Sequence, residues 1–231
     1  MAQEDIWAHY QNEATDSFAD ARSRLSFLLN HAEKYKRPGT LLNIGCGDGY
    51  LERSAQKNGW KTYSLDPDQR AMQRLADQGI DAHCGLIERM PFNDQTFDVV
   101  TCSEVLEHLR TEQLAAGIPE IVRVLKDDGI LIGTTPYREN LQDNEFVCEH
   151  CGVRSHRWGH HQSFDETRMG SLLSPNFEIQ ALKPKYFPTW RTNWKGKVIN
   201  AALLTLSICG SSGKTSTLFF AARRKSHFKA Q

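Results

Sequence analysis

The sequence predicts an α/β fold, a parallel sheet with helices on both faces. Between residues 41 and 134 short apolar runs alternate with helical stretches, and the same rhythm resumes after residue 166. The spacing leaves room for one helix between successive strands, as a parallel sheet requires. Residues 1 to about 36 read as helical, with apolar positions at Phe18, Leu25, Phe27, Leu28 and Leu29, and Pro38-Gly39 ends that stretch. A strand over 41–45 leads to a helix over 51–57, a strand over 62–65 to a helix over 69–78, and a strand follows at 81–84. Next come a strand over 97–102, a helix over 112–125 and a strand over 130–134. After Pro136 the rhythm breaks into a polar stretch, 137–163, with Cys148, Cys151 and four of the nine histidines. A helix near 166–173 and strands near 177–182 and 216–222 complete the chain.

The 231 residues suffice for one such domain with a sizeable core, and a single domain is expected. Hydrophobic residues make up 39% and charged residues 24%, which places the chain among globular proteins rather than disordered ones. Lys+Arg and Asp+Glu both number 28, so no overall basic footprint points to nucleic acid. The opening residues carry acids and no apolar stretch of the secretory kind. The longest apolar run, 198–209, is broken by Asn200, Thr205 and Ser207 and is too short to span a bilayer. Six scattered cysteines do not make a disulfide framework; Cys46, Cys84 and Cys102 are expected as thiols at strand ends. A reducing, cytoplasmic compartment follows.

The most informative stretch is Leu41-Leu42-Asn43-Ile44-Gly45-Cys46-Gly47-Asp48-Gly49-Tyr50, an apolar strand that runs into three alternating glycines and then a helix. Glycines there admit unusual dihedrals and close approach of a ligand, and the helix start offers free N–H groups. The next strand ends in Leu65-Asp66-Pro67, which places a carboxylate where ribose hydroxyls can be held. Tyr50 at the sixth position of the glycine motif departs from the dinucleotide fingerprint and disfavours NAD.

At this point the sequence resembles class I S-adenosylmethionine (SAM)-dependent methyltransferases. The likeness spans about residues 40–135 and rests on NIGCGDG (43–49), SLDPD (64–68), ERMPFNDQTFDVV (88–100), SEVLEHL (103–109) and LKDDGILIGTTP (125–136). It implies a Rossmann-like seven-stranded sheet with the last strand antiparallel, a helical lid over 1–38, a SAM-binding core over 39–136, a Cys/His-rich insertion over 137–165 and a remainder, 166–231, that completes the sheet and the acceptor pocket. It also implies that Asn43, Gly45, Cys46, Gly47 and Gly49 form the loop at the methionine end of SAM and that Asp66 and Pro67 stand at the ribose. Ile87 and Glu88 would flank adenine, with Ser103 near the sulfonium. Asn43 stands where the family usually has an acid. Leu86 replaces the aspartate that commonly reaches the adenine amine, which leaves adenine to backbone and apolar contacts. Trp7, Tyr10, Phe18, Arg22 and Arg24 are the candidate lid residues.

Glu104, Glu107 and His108 are spaced i, i+3, i+4, so a helix after strand four would project all three from one face. Two carboxylates and an imidazole suit Mg²⁺, Mn²⁺, Fe²⁺ or Zn²⁺. The pattern ExxEH followed by a distant histidine resembles metal-dependent O-methyltransferases of ubiquinone biosynthesis and of small RNAs. That likeness implies His160 as fourth ligand, with His161 as substitute. Alternatively Glu104 only complements a helix dipole and His108 acts as a general base.

A second reading competes for His160. Cys148-x2-Cys151 followed by His156 and His160 is a tetrahedral zinc pattern, although the gap is shorter than in a zinc finger. The cysteines are otherwise plain thiols, or bind zinc with other histidines of the insertion. Gly210–Thr215 evokes a phosphate loop but lacks its first glycine and precedes a strand, so it reads as a turn. Trp190, Trp194, Lys195 and Lys197 lead into an apolar helix over 198–208, a combination suited to membrane surfaces; the preferred reading is a helix that covers the sheet or closes the acceptor pocket. The function expected is methyl transfer from SAM to a small hydroxylated metabolite or sugar. The rivals are an RNA methyltransferase and a non-catalytic module whose zinc knuckle binds a partner.

Overall fold

The computed structural model describes residues 9–189, 192–208 and 217–226. Trp7, Trp190, Ser216 and the 210–215 turn lie outside them. Residues 9–12 form a helical turn, α1, followed by a 3₁₀ stretch, Thr15–Ala21. The main elements are α2 (Arg22–Tyr35), β1 (Thr40–Ile44), α3 (Tyr50–Lys57), β2 (Lys61–Asp66), α4 (Gln69–Ala76), β3 (Asp81–Cys84), β4 (Phe97–Ser103), α5 (Thr111–Val124) and β5 (Leu125–Pro136). They continue with β6 (Glu145–Val147), β7 (Arg154–His156), α6 (Glu166–Leu173), β8 (Phe177–Lys185), α7 (Trp194–Ile208) and β9 (Thr217–Arg224).

Seven strands form one sheet in the order β3-β2-β1-β4-β5-β9-β8. Strands β1 to β5 are parallel, and β9 runs antiparallel to both β5 and β8. The alternation of strands and helices and the antiparallel last strand are therefore as expected. Strands β6 and β7 make a separate hairpin.

Successive side chains of a strand point to opposite faces, and here both faces are covered. Leu42, Val100, Leu131 and Phe220 pack with Ile118, Ile121 and Val122 of α5 and with Met169 and Leu173 of α6. Their neighbours Leu41, Val99, Ile130 and Phe219 pack against Leu28, Leu29 and Ala32 of α2 and Leu51 and Ala55 of α3. Hence the central strands read as continuous apolar runs rather than alternating ones. Asp68 and Asp165 cap α4 and α6, accepting from Ala71 N and Arg168 N at 2.8 Å each.

Two expectations about helices change. The chain leaves β4 through Glu104, a non-glycine residue at φ 56°, and makes only the 3₁₀ turn Leu106–His108 before α5 begins at Thr111. A left-handed residue cannot lie within a right-handed helix, so Glu104, Glu107 and His108 do not share a helix face. Helix α7 does not bury its apolar residues on the sheet: among its side chains only Asn200 is buried. None of the described helices is long and apolar enough to cross a membrane.

Gly133 lies in β5 where a Cβ would stand 2.0 Å from the Cys102 carbonyl oxygen and 2.4 Å from the Phe220 ring. A backbone atom and a packed ring leave nothing to yield. Gly133→Ala should lower unfolding free energy by about 1–3 kcal/mol, read as a reduced urea midpoint; an unchanged midpoint would show that the strands can spread.

Candidate active site

The glycine loop follows β1 and turns at three left-handed residues, Gly45 (φ 83°), Gly47 (φ 50°) and Gly49 (φ 78°). That is why glycine occupies every second position there. A Cβ on Gly45 would stand 2.6 Å from Val105, and one on Gly47 would stand 3.2 Å from the Phe18 ring. Asp48 Oδ1 accepts from Tyr50 N at 3.0 Å as α3 begins.

Asp66, at the end of β2, is buried. Its Oδ2 accepts from Cys46 N at 3.1 Å and from the Gln11 amide at 2.8 Å, and its Oδ1 from Asp68 N at 2.9 Å. Burial nevertheless raises its pKa. The Gln11 contact was not expected: a side chain from the N-terminal segment donates to the carboxylate assigned to ribose hydroxyls. Arg74 holds that segment down through the Gln11 and Gly47 carbonyls.

Asn43 does not present its side chain as a free acid would. Its amide donates to Glu52 Oε1 at 2.8 Å and to the Gly45 carbonyl at 3.1 Å, while its Oδ1 accepts from Thr101 at 2.9 Å. The acid of this network is the fully buried Glu52 of α3, which also accepts from Ser64 at 2.7 Å. Burial raises the Glu52 pKa. Ile87 differs from expectation. Its side chain is buried rather than open at the surface, and a Cβ on Gly117 of α5 would stand 3.2 Å from it. Glu88 is bonded to Gln113 at 3.1 Å, and Cys84 donates to the Pro67 carbonyl at 3.3 Å. Ser103, at the end of β4, shares a hydrogen bond with Thr134 at 2.9 Å and accepts from Arg24 of α2 at 3.1 Å.

Beside Ser103 lies a cluster of acids and histidines. Ligand atoms of Glu107, His108 and His160 lie within 4.8 Å of one another, and so do those of Glu139, His156 and His160. The insertion is held in register by backbone: His161 N and Gln162 N both donate to the Glu107 carbonyl, at 2.7 and 3.0 Å. Arg138 N donates to the Phe164 carbonyl at 2.8 Å, which aligns the segment carrying Glu139 with the one carrying His160.

The Glu107 side chain is 1% exposed, and neither carboxylate oxygen is hydrogen-bonded to another described residue. Desolvation, and then the nearby Glu104, raise its pKa well above the usual range. Glu104 itself stays outside both clusters, with Oε1 buried and unbonded among the described residues. His108 Nδ1 faces the Gly159 carbonyl at 3.3 Å, which places the ring proton on Nδ1 and the lone pair on Nε2, 3.9 Å from Glu107 Oε1. Burial, reinforced by His160, lowers the His108 pKa to about 3. His160 Nδ1 bonds Glu139 Oε2, so its Nε2 likewise carries the lone pair. Burial opposes ionisation of Glu139, but His160 and His156 outweigh it and hold the carboxyl below its ordinary pKa.

The four-residue zinc arrangement does not form. In the hairpin Cys148 N donates to Val153 O, and His156 pairs with Glu145 at the other end. Three residues of strand, roughly 10 Å, separate the cysteines at the tip from His156 at the base. His156 Nδ1 also accepts from His160 N at 3.1 Å, so its proton sits on Nε2, 3.5 Å from Glu139. An imidazole in that tautomer has no lone pair left for a metal. Among the described residues no candidate metal cluster includes a cysteine. Sequence reasoning missed Gln11, Glu52 and Glu139; only the position of Glu139 just past β5 hinted at a site residue.

Residues 42–133 match the methyltransferase-domain family. The chain is 28% identical over 180 residues to the uncharacterized methyltransferase YodH of Bacillus subtilis, covering 67% of this chain and 76% of that protein. It is 26% identical over 167 residues to the ubiquinone biosynthesis O-methyltransferase of Rickettsia typhi, covering 67% of this chain and 66% of that one. The fold is shared with the 1,6-didemethyltoxoflavin-N1-methyltransferase of Burkholderia thailandensis, solved with S-adenosylhomocysteine bound: TM-score 0.66, 15% identity, 96% of this chain and 87% of that one. These likenesses support a class I SAM-dependent methyltransferase. The chain is an enzyme of that type, which removes the reading as a non-catalytic module.

Asp66→Ala removes an acceptor of hydrogen bonds to a charged group, worth about 1.5–3 kcal/mol, and should weaken S-adenosylhomocysteine binding about 10–100-fold by calorimetry. Unchanged affinity would remove Asp66 from the ribose site.

Proposed function

We propose that this methyltransferase transfers the methyl group of SAM to an oxygen of a small hydroxylated acceptor, with a divalent cation held by Glu107, His108 and His160. The observation that carries the reading is the Glu107 carboxylate, buried without a hydrogen bond from another described residue. An unpaired buried carboxylate is costly unless protonated or matched by a cation. The two histidines beside it have the tautomers that ligands need, each directing Nδ1–H at an oxygen, of Gly159 and of Glu139. The chemistry supplied by such an ion when bound is Lewis acidity, which lowers the pKa of an acceptor hydroxyl.

The chain's own residues do the rest. The glycine loop and Asp66 fix the cofactor, Ser103 stands at the end of β4 beside it, and the 159–162 backbone sets His160 against His108. Binding both reactants in line removes much of the entropic barrier. The likeness to the Rickettsia typhi O-methyltransferase supports oxygen as the methylated atom. The cysteine usage fits a cytoplasmic setting.

Glu107→Gln should abolish cation binding by elemental analysis and cut methylation of catechol-like acceptors at least about 100-fold, with S-adenosylhomocysteine affinity intact. Full activity in metal-free Glu107→Gln protein would sink the reading. Glu139→Gln should weaken Mn²⁺ binding about 10–100-fold in a spin-resonance titration, because it orients His160 without touching the ion.

A further inference from the structure

Helix α7 connects the end of β8 to the start of β9, and Lys185 and Thr217 pair there beside Pro136. It therefore stands at the carboxyl edge of the sheet, the edge that carries the active site. Its orientation is inverted relative to an ordinary surface helix. Polar side chains are turned to the protein beside the half-buried Leu203 and Leu204: Asn200 bonds the Tyr186 hydroxyl and the Thr189 carbonyl, and Ser207 Oγ accepts from Tyr186 N at 3.1 Å. The side chains turned outward are apolar: Val198, Ile199, Leu206 and Ile208 are 61%, 59%, 52% and 77% exposed. The outward Thr205 hydroxyl is satisfied within the helix by the Ala201 carbonyl at 2.9 Å. Every polar side chain between 198 and 208 is thus internally bonded, the condition for a surface that faces hydrocarbon.

Charge identifies the occupant. After Glu178 the sequence has ten lysines and arginines and no aspartate or glutamate, so the zero net charge of the whole conceals a basic C-terminal part. Lys195 and Lys197 stand exposed in the first turn of α7 beside Trp194, which is 71% exposed. A second copy would offer the same carboxylate-free segment to these lysines, whereas an anionic bilayer complements them. At about 1.5 Å per residue the helix is roughly 22 Å long, shorter than the hydrocarbon core, so it lies in the interface plane.

We propose that α7 is a membrane-surface helix that docks the active-site edge of the enzyme on an anionic lipid bilayer. The surface stands whatever the acceptor and whether or not a metal is bound. The test is co-sedimentation of the full chain with vesicles of phosphatidylglycerol and phosphatidylcholine, and with phosphatidylcholine alone. The wild type should bind the anionic vesicles, less so as salt rises. Ile199→Glu with Leu206→Glu should reduce binding on the order of tenfold or more, as should Lys195→Glu with Lys197→Glu. Unchanged S-adenosylhomocysteine affinity in both variants shows that they fold. Wild-type protein left in the supernatant, or binding that survives the Ile199→Glu/Leu206→Glu pair, overturns the proposal. So does a dimer in analytical ultracentrifugation that this pair converts to monomer, since the helix would then be a self-association surface.

Discussion

Strands β1, β4 and β5 are apolar on both faces, and helices cover each face, so polar side chains with work to do are confined to the places where those strands stop. The glycine loop follows β1, Asp66 ends β2, Ser103 ends β4 and Glu139 follows β5. Helix α7 spans the gap between β8 and β9 at the same edge. A parallel sheet aligns all its strand ends, and that common direction gathers residues far apart in sequence into one site.

Buried carboxylates distinguish structure from function within this site. Glu52 is satisfied by Asn43 and Ser64, and its role is to brace the glycine loop through Asn43. Asp66 is satisfied by two backbone N–H groups and by the side-chain amide of Gln11. Glu107 has no such partner among the described residues. Three acids with similar burial thus differ in what they lack, and the unmatched one sits beside two histidines whose ring protons point away from it.

The glycine loop was legible because its requirement is local: positive φ at alternate positions can be read from glycine spacing alone. Asp66 was legible from its place at a strand end. The helix expected to align Glu104, Glu107 and His108 was not realised, because the i, i+3, i+4 spacing says nothing about the left-handed turn at Glu104 that ends the strand. His160 still reaches His108, but through backbone bonds from residues 161 and 162 to Glu107. The zinc pattern failed for the converse reason. Close spacing suggested proximity, and the extended hairpin holds the cysteines away from His156.

The sequence by itself determined the alternation of the sheet strands with their helices, the resemblance to the family, the turns of the glycine loop and the place of Asp66 at a strand end, because each is written in residue type at short range. The partners of those residues were decided by tertiary structure. Gln11 meets Asp66 across 55 positions and Glu139 meets His160 across 21, and no periodicity encodes such contacts. The direction of α7 was decided there too. Its composition reads as an apolar helix either way, and the bonds from Asn200 and Ser207 to residues just past β8 turn those polar side chains inward and leave Val198, Ile199, Leu206 and Ile208 outside.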